Sequence, residues 1–372
     1  MTSTFQFAHA SHHEIHKLLD ECAKQLSGPF TQSLGLIYIT DALHDQFPVI
    51  LNTLKDHTGI KHWAGTVGTG IIGGQQEYYD EPAIAVMLCD LNEDDFTLLP
   101  TLYDNLLPFN EQASEWAEAH RAPLGLIHGD PSNPHLQDLL QQLGTGDTAT
   151  QYAGGLSSSR GSTPQVCDTL TSGGLSGVLF SDQANIISNL SQGCTPITAP
   201  YTITQAEKNI LVTLDEQPAL SIFKEAIGEV LARDIQRTAG YIFAGIPTSS
   251  DNPNDYMIRH IIGVDESQQI MAIGDYVDNG QTLMFCRRDG NTAQQDMMRM
   301  LEELQPQLAT APRGGVYISC VARGRNQFGD NSEEVKMIHE VLGDFPLIGF
   351  HANGEIYNSK LYSFTGVLIL FK

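Results

Sequence analysis

The sequence predicts a mixed α/β (α+β) protein of two modules built from a repeated strand–helix–strand–strand unit, giving packed mixed sheets flanked by helices. Three observations carry that expectation. Short β-branched and aromatic runs alternate with apolar residues at helical spacing along the chain, the pattern of α/β architecture. One succession of elements recurs at Gly35–Leu91, Gly125–Phe180 and Gly315–Phe371. The length of 372 residues exceeds what one core ordinarily serves. A break between 205 and 225 would divide the chain into modules 1–215 and 216–372.

At the N-terminus, Ser11 with Glu14 three residues on forms a capping-box pattern. A helix is expected to start there, with Ile15, Leu19, Cys22 and Leu26 on its apolar face. The first copy of the unit opens with a strand at Leu36–Ile39. Its helix has Pro48 near the start, Ile50, Leu51 and Leu54 on one face, and Gly59 at the end. The second copy has a strand at Leu126–His128, then Asn133 as N-cap, Pro134, a Leu136/Leu139/Leu140/Leu143 face, and Gly144. The third has a strand at Val316–Ser319, then Ser332 as cap, a Val335/Ile338/Val341/Leu342 face, and Gly343. A capping side chain, an early proline whose missing N–H is not needed, and a terminal glycine free to take positive φ are what helix ends require.

The second strands, Trp63–Gly70, Tyr152–Ser159 and Leu347–Gly354, are studded with glycine. Glycine in a strand signals a bulge, or close approach by another backbone or a ligand. Third strands follow at Ala83–Leu88, Leu175–Phe180 and Gly366–Phe371. Between copies two and three, Ala184–Leu190 and Ile210–Leu214 read as strands. Pro218–Ala232 reads as a helix presenting Leu220, Phe223, Ile227 and Leu231, and Tyr256–Phe285 as further short strands. Thr292–Leu308 is a Met-rich helix whose Met297, Met298, Met300, Leu301 and Leu304 read as core filler.

Composition narrows the function. With 44 Asp+Glu against 20 Lys+Arg the formal charge is −24, so a nucleic-acid partner is not expected. No apolar run approaches the roughly 18 residues of a membrane span, and the first residues carry no secretory-signal pattern. The six cysteines are scattered without a CxxC and read as reduced thiols of a cytoplasmic protein. His12 and His16 share a helical face, but nothing near them completes a metal site. Gly65–Gly74 holds five glycines yet no Gly-Lys-Ser/Thr, so a nucleotide is not expected. No cofactor and no metal are expected.

Particular strings resemble the FIST domain family. His62-Trp-Ala-Gly-Thr-Val-Gly-Thr-Gly-Ile-Ile-Gly with Tyr78-Tyr-Asp-Glu-Pro-Ala-Ile-Ala-Val, and Gly154-Gly-Leu-Ser-Ser-Ser with Gly193-Cys-Thr-Pro-Ile, look like its N-terminal module. Ser319-Cys-Val-Ala-Arg-Gly-Arg-Asn-Gln-Phe-Gly and Gly349-Phe-His-Ala-Asn-Gly-Glu-Ile look like its C-terminal module. The resemblance runs from about residue 30 to the end. It implies a sensory module for small ligands, amino acids among those proposed, which in bacteria often precedes a kinase, cyclase or chemotaxis output. A related module in eukaryotes sits in F-box proteins. Ala322 departs from the family's more usual glycine, and a chain ending at Lys372 is expected to use a separate signalling partner for output.

The loop Ser319–Gly329 follows a strand and leads to a helix, so its N–H groups and the helix's positive end favour an anion. Arg323 and Arg325 lie in it, and arginine pairs with carboxylates in bidentate fashion. The alternative is that both arginines pair with Asp330, Glu333 or Glu334. Cys320 opens the loop, where its pKa is expected to fall. That leaves it to line the ligand site, to pack, or to serve as nucleophile of a thiol-dependent hydrolase or transferase with His351, Glu355 or Asp330 as base. Asn353 and Glu355 are expected beside the loop, holding an ammonium or amide group, and the second copy offers Gly155, Ser158 and Arg160 at the corresponding place. The leading expectation is a small-ligand-binding sensory protein, with an enzyme or a protein-interaction scaffold as alternatives.

Overall fold

The computed structural model describes residues 5–146, 149–248 and 255–372. The fold is mixed α+β, with several mixed sheets flanked by helices. Two compact units form, one of residues 1–191 with 296–372 and one of residues 192–295. Contacts do not follow chain order, because the third strand–helix–strand–strand stretch packs with the first two and the segment before it makes the second unit.

Among the described residues, the larger unit holds three six-stranded sheets with one shared order. At the centre of each runs a lead strand: Leu34–Thr40, Leu124–Gly129 or Gly314–Cys320. The lead strand pairs in parallel with a return strand, His62–Gly68, Gln151–Leu156 or Leu347–Ala352. On its other side it pairs antiparallel with a closing strand, Ala83–Cys89, Leu175–Phe180 or Gly366–Phe371. A parallel pair needs a crossover, and helices Phe47–Thr58, Leu136–Thr145 and Glu333–Leu342 supply it. The lead strands are buried along their whole length, which is why they read as continuous apolar runs rather than alternating ones. Edge strands Gln6–Ser11, Phe96–Leu102 and Ile186–Ser191 pair with the closing strands.

The last two positions of each sheet are filled from elsewhere. The hairpin Gly70–Gly73/Gln76–Tyr79 follows the return strand of the first sheet but pairs with Leu347–Ala352 of the third. The hairpin Glu355–Tyr357/Lys360–Tyr362 leaves the third sheet and pairs with Gln151–Leu156 of the second. The hairpin Gln165–Cys167/Thr169–Thr171 leaves the second and pairs with His62–Gly68 of the first. The expected single strand Trp63–Gly70 is therefore two: the chain quits one sheet at Gly68 and joins another at Gly70. A Cβ on Gly68 would lie 2.5 Å from the Gly70 oxygen, so the corner has no room for a side chain.

One aromatic side chain from each sheet meets the others in the interior. The Tyr38 hydroxyl is 3.0 Å from His128 Nε2, and Phe350 stacks on Tyr38 with ring centres 5.0 Å apart. Each lead–return pair also contains a glycine whose Cβ would strike the neighbouring backbone. Gly65 would meet Ile37 O at 1.8 Å, Gly154 would meet Ile127 O at 1.9 Å, and Gly349 would meet Tyr317 O at 1.8 Å.

Three helix starts differ from expectation: Ser332 stands before helix Glu333–Leu342, but its hydroxyl accepts the Glu77 N–H at 2.9 Å instead of capping the helix. Ser11 ends a strand instead of capping a helix, and its hydroxyl bonds Glu81. The helix runs Ile15–Gln25 from Glu14, whose N–H is taken by the His12 ring at 2.9 Å. Asn133 makes a turn, accepting the His135 N–H at 2.7 Å, before the helix begins at Leu136. The expected glycine stops hold at Gly59 (φ 71°) and Gly343 (φ 90°), whereas the second helix runs through Gly144 to Thr145 and is followed by Gly146.

In the smaller unit, antiparallel strands follow the order Thr282–Arg288, Tyr201–Glu207, Ile210–Leu214, Ile270–Ile273, Tyr256–Asp265 and Ile242–Pro247. The last pairs back onto the first, closing the ring. Helix Ala219–Ala232 packs Leu220 and Phe223 against Ile203, Met271 and Phe285, as its apolar spacing requires.

Candidate functional site

The eight residues singled out in the sequence gather in the larger unit, where loops following the lead and return strands meet. They fall into a buried layer and an exposed one. The buried layer centres on Arg323 and Glu334, both fully buried. Glu334 accepts bonds from Arg323 Nε at 2.7 Å, the Tyr317 hydroxyl at 2.6 Å, the Ser319 hydroxyl at 3.0 Å and the Gly324 N–H at 2.9 Å. Burial alone would raise the Glu334 carboxyl, but Arg323 and the Tyr317 hydroxyl outweigh it and hold the pKa low. The remaining Arg323 nitrogens reach the Ser191 and Phe364 carbonyls and the Ser191 and Tyr317 hydroxyls. The anion expected at this loop is thus present, and it is Glu334. Arg323 is a strut that holds the loop shut rather than a hand held out to a ligand.

Cys320 corrects a second expectation. Its thiol is raised well above the ordinary value, first by burial and then by Glu355 beside it, so nearby arginines do not activate it. A neutral thiol is a poor nucleophile, and the thiol-enzyme alternative loses its main support. Glu355 is itself fully buried, accepting the Thr365 N–H at 3.1 Å and hydroxyl at 2.8 Å, and burial pushes its pKa up to about 8. It is therefore mostly neutral near pH 7. Gly155 pairs with Glu355 across strands, and a Cβ there would meet Ile318 at 2.7 Å. The Ser158 hydroxyl is used inside, on the His351 carbonyl at 2.5 Å and the Thr69 N–H at 2.8 Å.

The exposed layer contains Arg160, Arg325 and Asn353. Arg160 is anchored by Asp41, whose side chain is only 3% exposed. Nε and one terminal nitrogen reach the two carboxylate oxygens at 2.7 Å each, and the Arg160 N–H adds a bond of 2.9 Å. Burial would raise Asp41, and Arg160 more than offsets it, keeping the carboxyl ionised. The other terminal nitrogen of Arg160 lies 3.0 Å from Asp80 Oδ1, and Arg325 lies 2.6 Å from Asp80 Oδ2. Arg325 also sits over the Tyr79 ring, 4.5 Å from its centre, a cation–π arrangement. One carboxylate, Asp80, is therefore clasped by two guanidinium groups that come from different sheets. The hydrogen bond from Arg325 is the foremost cause that lowers its pKa.

Beneath the Tyr79 ring, the hydroxyl bonds Glu77 Oε1 at 3.1 Å, and His351 Nε2 is 3.3 Å from the same oxygen. The sequence reading did not name Asp41, Asp80, Tyr79 or Glu77. Arg160 and Asp41 are 119 residues apart and Arg325 and Asp80 are 245 apart. The hairpin exchanged between sheets is what brings Tyr79 and Asp80 to Arg325. The one available signal was the string Tyr78-Tyr-Asp-Glu-Pro, which contains both.

The smaller unit holds a separate cavity of about 750 Å³, lined by Ile235, Thr238, Ile242, His260, Ile262 and Val264 among others. No residue there was singled out in the sequence. Among the described residues no cluster of three or more His, Cys, Asp or Glu side chains is arranged to hold a metal, and no helix is long and apolar enough to cross a membrane.

Two family models match the chain: the FIST N domain over residues 33–217 and the FIST C domain over residues 219–358. An uncharacterized protein of Mycobacterium tuberculosis is 30% identical over 330 residues, covering 82% of each chain. An uncharacterized protein of Mycobacterium bovis is 29% identical over 359 residues, covering 91% of this chain and 90% of its own.

Proposed function

Because the chain belongs to the FIST family, sensory domains of signal transduction, we propose that it binds a small carboxylate between Arg160 and Arg325 and reports occupancy to a separate signalling partner. An amino acid is the favoured ligand. The observation that carries this reading is the clasp on Asp80. Two arginines, one fixed by a buried aspartate and the other by an aromatic face, already hold a carboxylate at an exposed position, and arginine's planar fork suits that group. Asn353, exposed in the same loop cluster, would take a polar group on the ligand. The cytoplasm is the proposed location. The proposed modules are residues 1–215 and 216–372, and the shared order of the three sheets supports their origin as copies of one unit.

A thermal-shift panel of amino acids and simple organic acids tests this. A ligand at 100 times its Kd adds about 2.7 kcal/mol of stability, so at least one carboxylate should raise the melting temperature. Arg325→Gln should abolish the rise, and this substitution leaves the buried Asp41–Arg160 pair intact. A panel without any shift, in wild type and in Asp80→Asn alike, would sink the proposal. The cavity of the smaller unit supports a second reading, since its volume lies within the roughly 300–1,000 Å³ of small-molecule sites. A shift that persists in Arg325→Gln would move the ligand there.

A further inference from the structure

We propose that Asp80 is an intramolecular stand-in for the ligand, an autoinhibitory carboxylate that a ligand's carboxylate must displace from between Arg160 and Arg325. This rests on the carboxylate-binding reading above and specifies how that site is regulated.

The geometry separates Asp80 from the groups around it. Asp41 holds Arg160 through three bonds from a nearly buried carboxylate, so Arg160 stays in place whether or not Asp80 does. Arg325 keeps its seat over Tyr79. Asp80 itself is 53% exposed, and the residues on either side of it are held by other contacts. Tyr79 bonds Glu77, and the Glu81 carbonyl accepts the Thr40 hydroxyl at 2.7 Å. Its φ is 56°, in the left-handed region that non-glycine residues rarely occupy. The Asp80 side chain is the member of the clasp that can leave without dismantling anything else.

Charge supports the same assignment. With Asp41 and Asp80 in place, two carboxylates balance two guanidinium groups. Without Asp80 the cluster carries one net positive charge, which matches one ligand carboxylate. Asp80 also sits at the corner between strand Gln76–Tyr79, in the third sheet, and strand Ala83–Cys89, in the first. Its side chain therefore reports occupancy of the seat at the junction between two sheets, while the flanking chain stays pinned. A tethered rival also acts at high effective concentration, which weakens the apparent affinity by the fraction of time the seat is filled.

Calorimetric titration of L-glutamate, L-alanine, succinate and acetate into wild type, Asp80→Asn and Asp80→Asn/Arg325→Gln tests this. Asparagine tolerates left-handed backbone, and a melting curve checks that the variant is folded. Exposed ion pairs are weak, so Asp80→Asn should bind the same carboxylate about three- to tenfold tighter than wild type, and adding Arg325→Gln should abolish binding. Binding seen only in Asp80→Asn supports the proposal equally. A carboxylate bound by wild type through Arg325 but no more tightly by Asp80→Asn overturns the autoinhibitory role and leaves the seat standing. Binding by neither protein, or binding that survives Arg325→Gln, overturns the seat and this inference with it.

Discussion

Glu355 illustrates how a residue chosen for ligand binding turns out to be governed by its surroundings. Its folded pKa, about 8, lies above the ordinary value of 4.5. For a raised pKa, the stabilising contribution is complete below the unfolded value and is lost as pH climbs through the folded one. Between about pH 4.5 and 8 the unfolded chain gives up this proton while the folded chain keeps it. The cost accumulates at roughly 1.4 kcal/mol per unit, reaching as much as about 5 kcal/mol. Glu355→Gln should match wild type in urea unfolding near pH 4.5 and exceed it by several kcal/mol at pH 8. Equal stabilities at both pH values would show that Glu355 ionises freely. At this scale the sequence gathers residues that the fold does bring together, but it does not show that Cys320, Arg323 and Glu355 are buried. Burial of Cys320, Arg323 and Glu355 depends on strands that lie far away in the chain, such as Ile186–Ser191, which brings Ser191 onto Arg323.

At the scale of elements, the lead strands, closing strands and glycine-stopped helices were legible because their signals are local: apolar runs, spacing and caps. The exchanged hairpins were not, because nothing local marks which sheet a short strand will join. The glycines of the return strands did announce a close backbone approach, and it occurs at Gly65, Gly154 and Gly349. Gly349→Ala would set a Cβ 1.8 Å from the Tyr317 carbonyl of the parallel neighbour. Neither strand can yield, since both are buried and paired on both sides. The substitution should cost about 3 kcal/mol or more by chemical unfolding. A cost under about 1 kcal/mol would mean that the strands shift far more easily than their packing indicates.

For the whole molecule, the formal charge of −24 and the arginine clasp act in opposite directions. The acidic total repels anions at long range, whereas Arg160 and Arg325 offer one place where an anion is held at close range. The sequence located both arginines, but not the aspartates that organise them, since the pairings span 80 to 245 residues. The central claim is that this clasp is a carboxylate seat occupied by Asp80 until a ligand arrives. A crystal structure of the protein with the carboxylate selected in the thermal-shift panel tests it most directly. The account predicts ligand density between Arg160 and Arg325, with Asp80 turned away from both. Ligand bound elsewhere, with Asp80 still held by the two arginines, would contradict it.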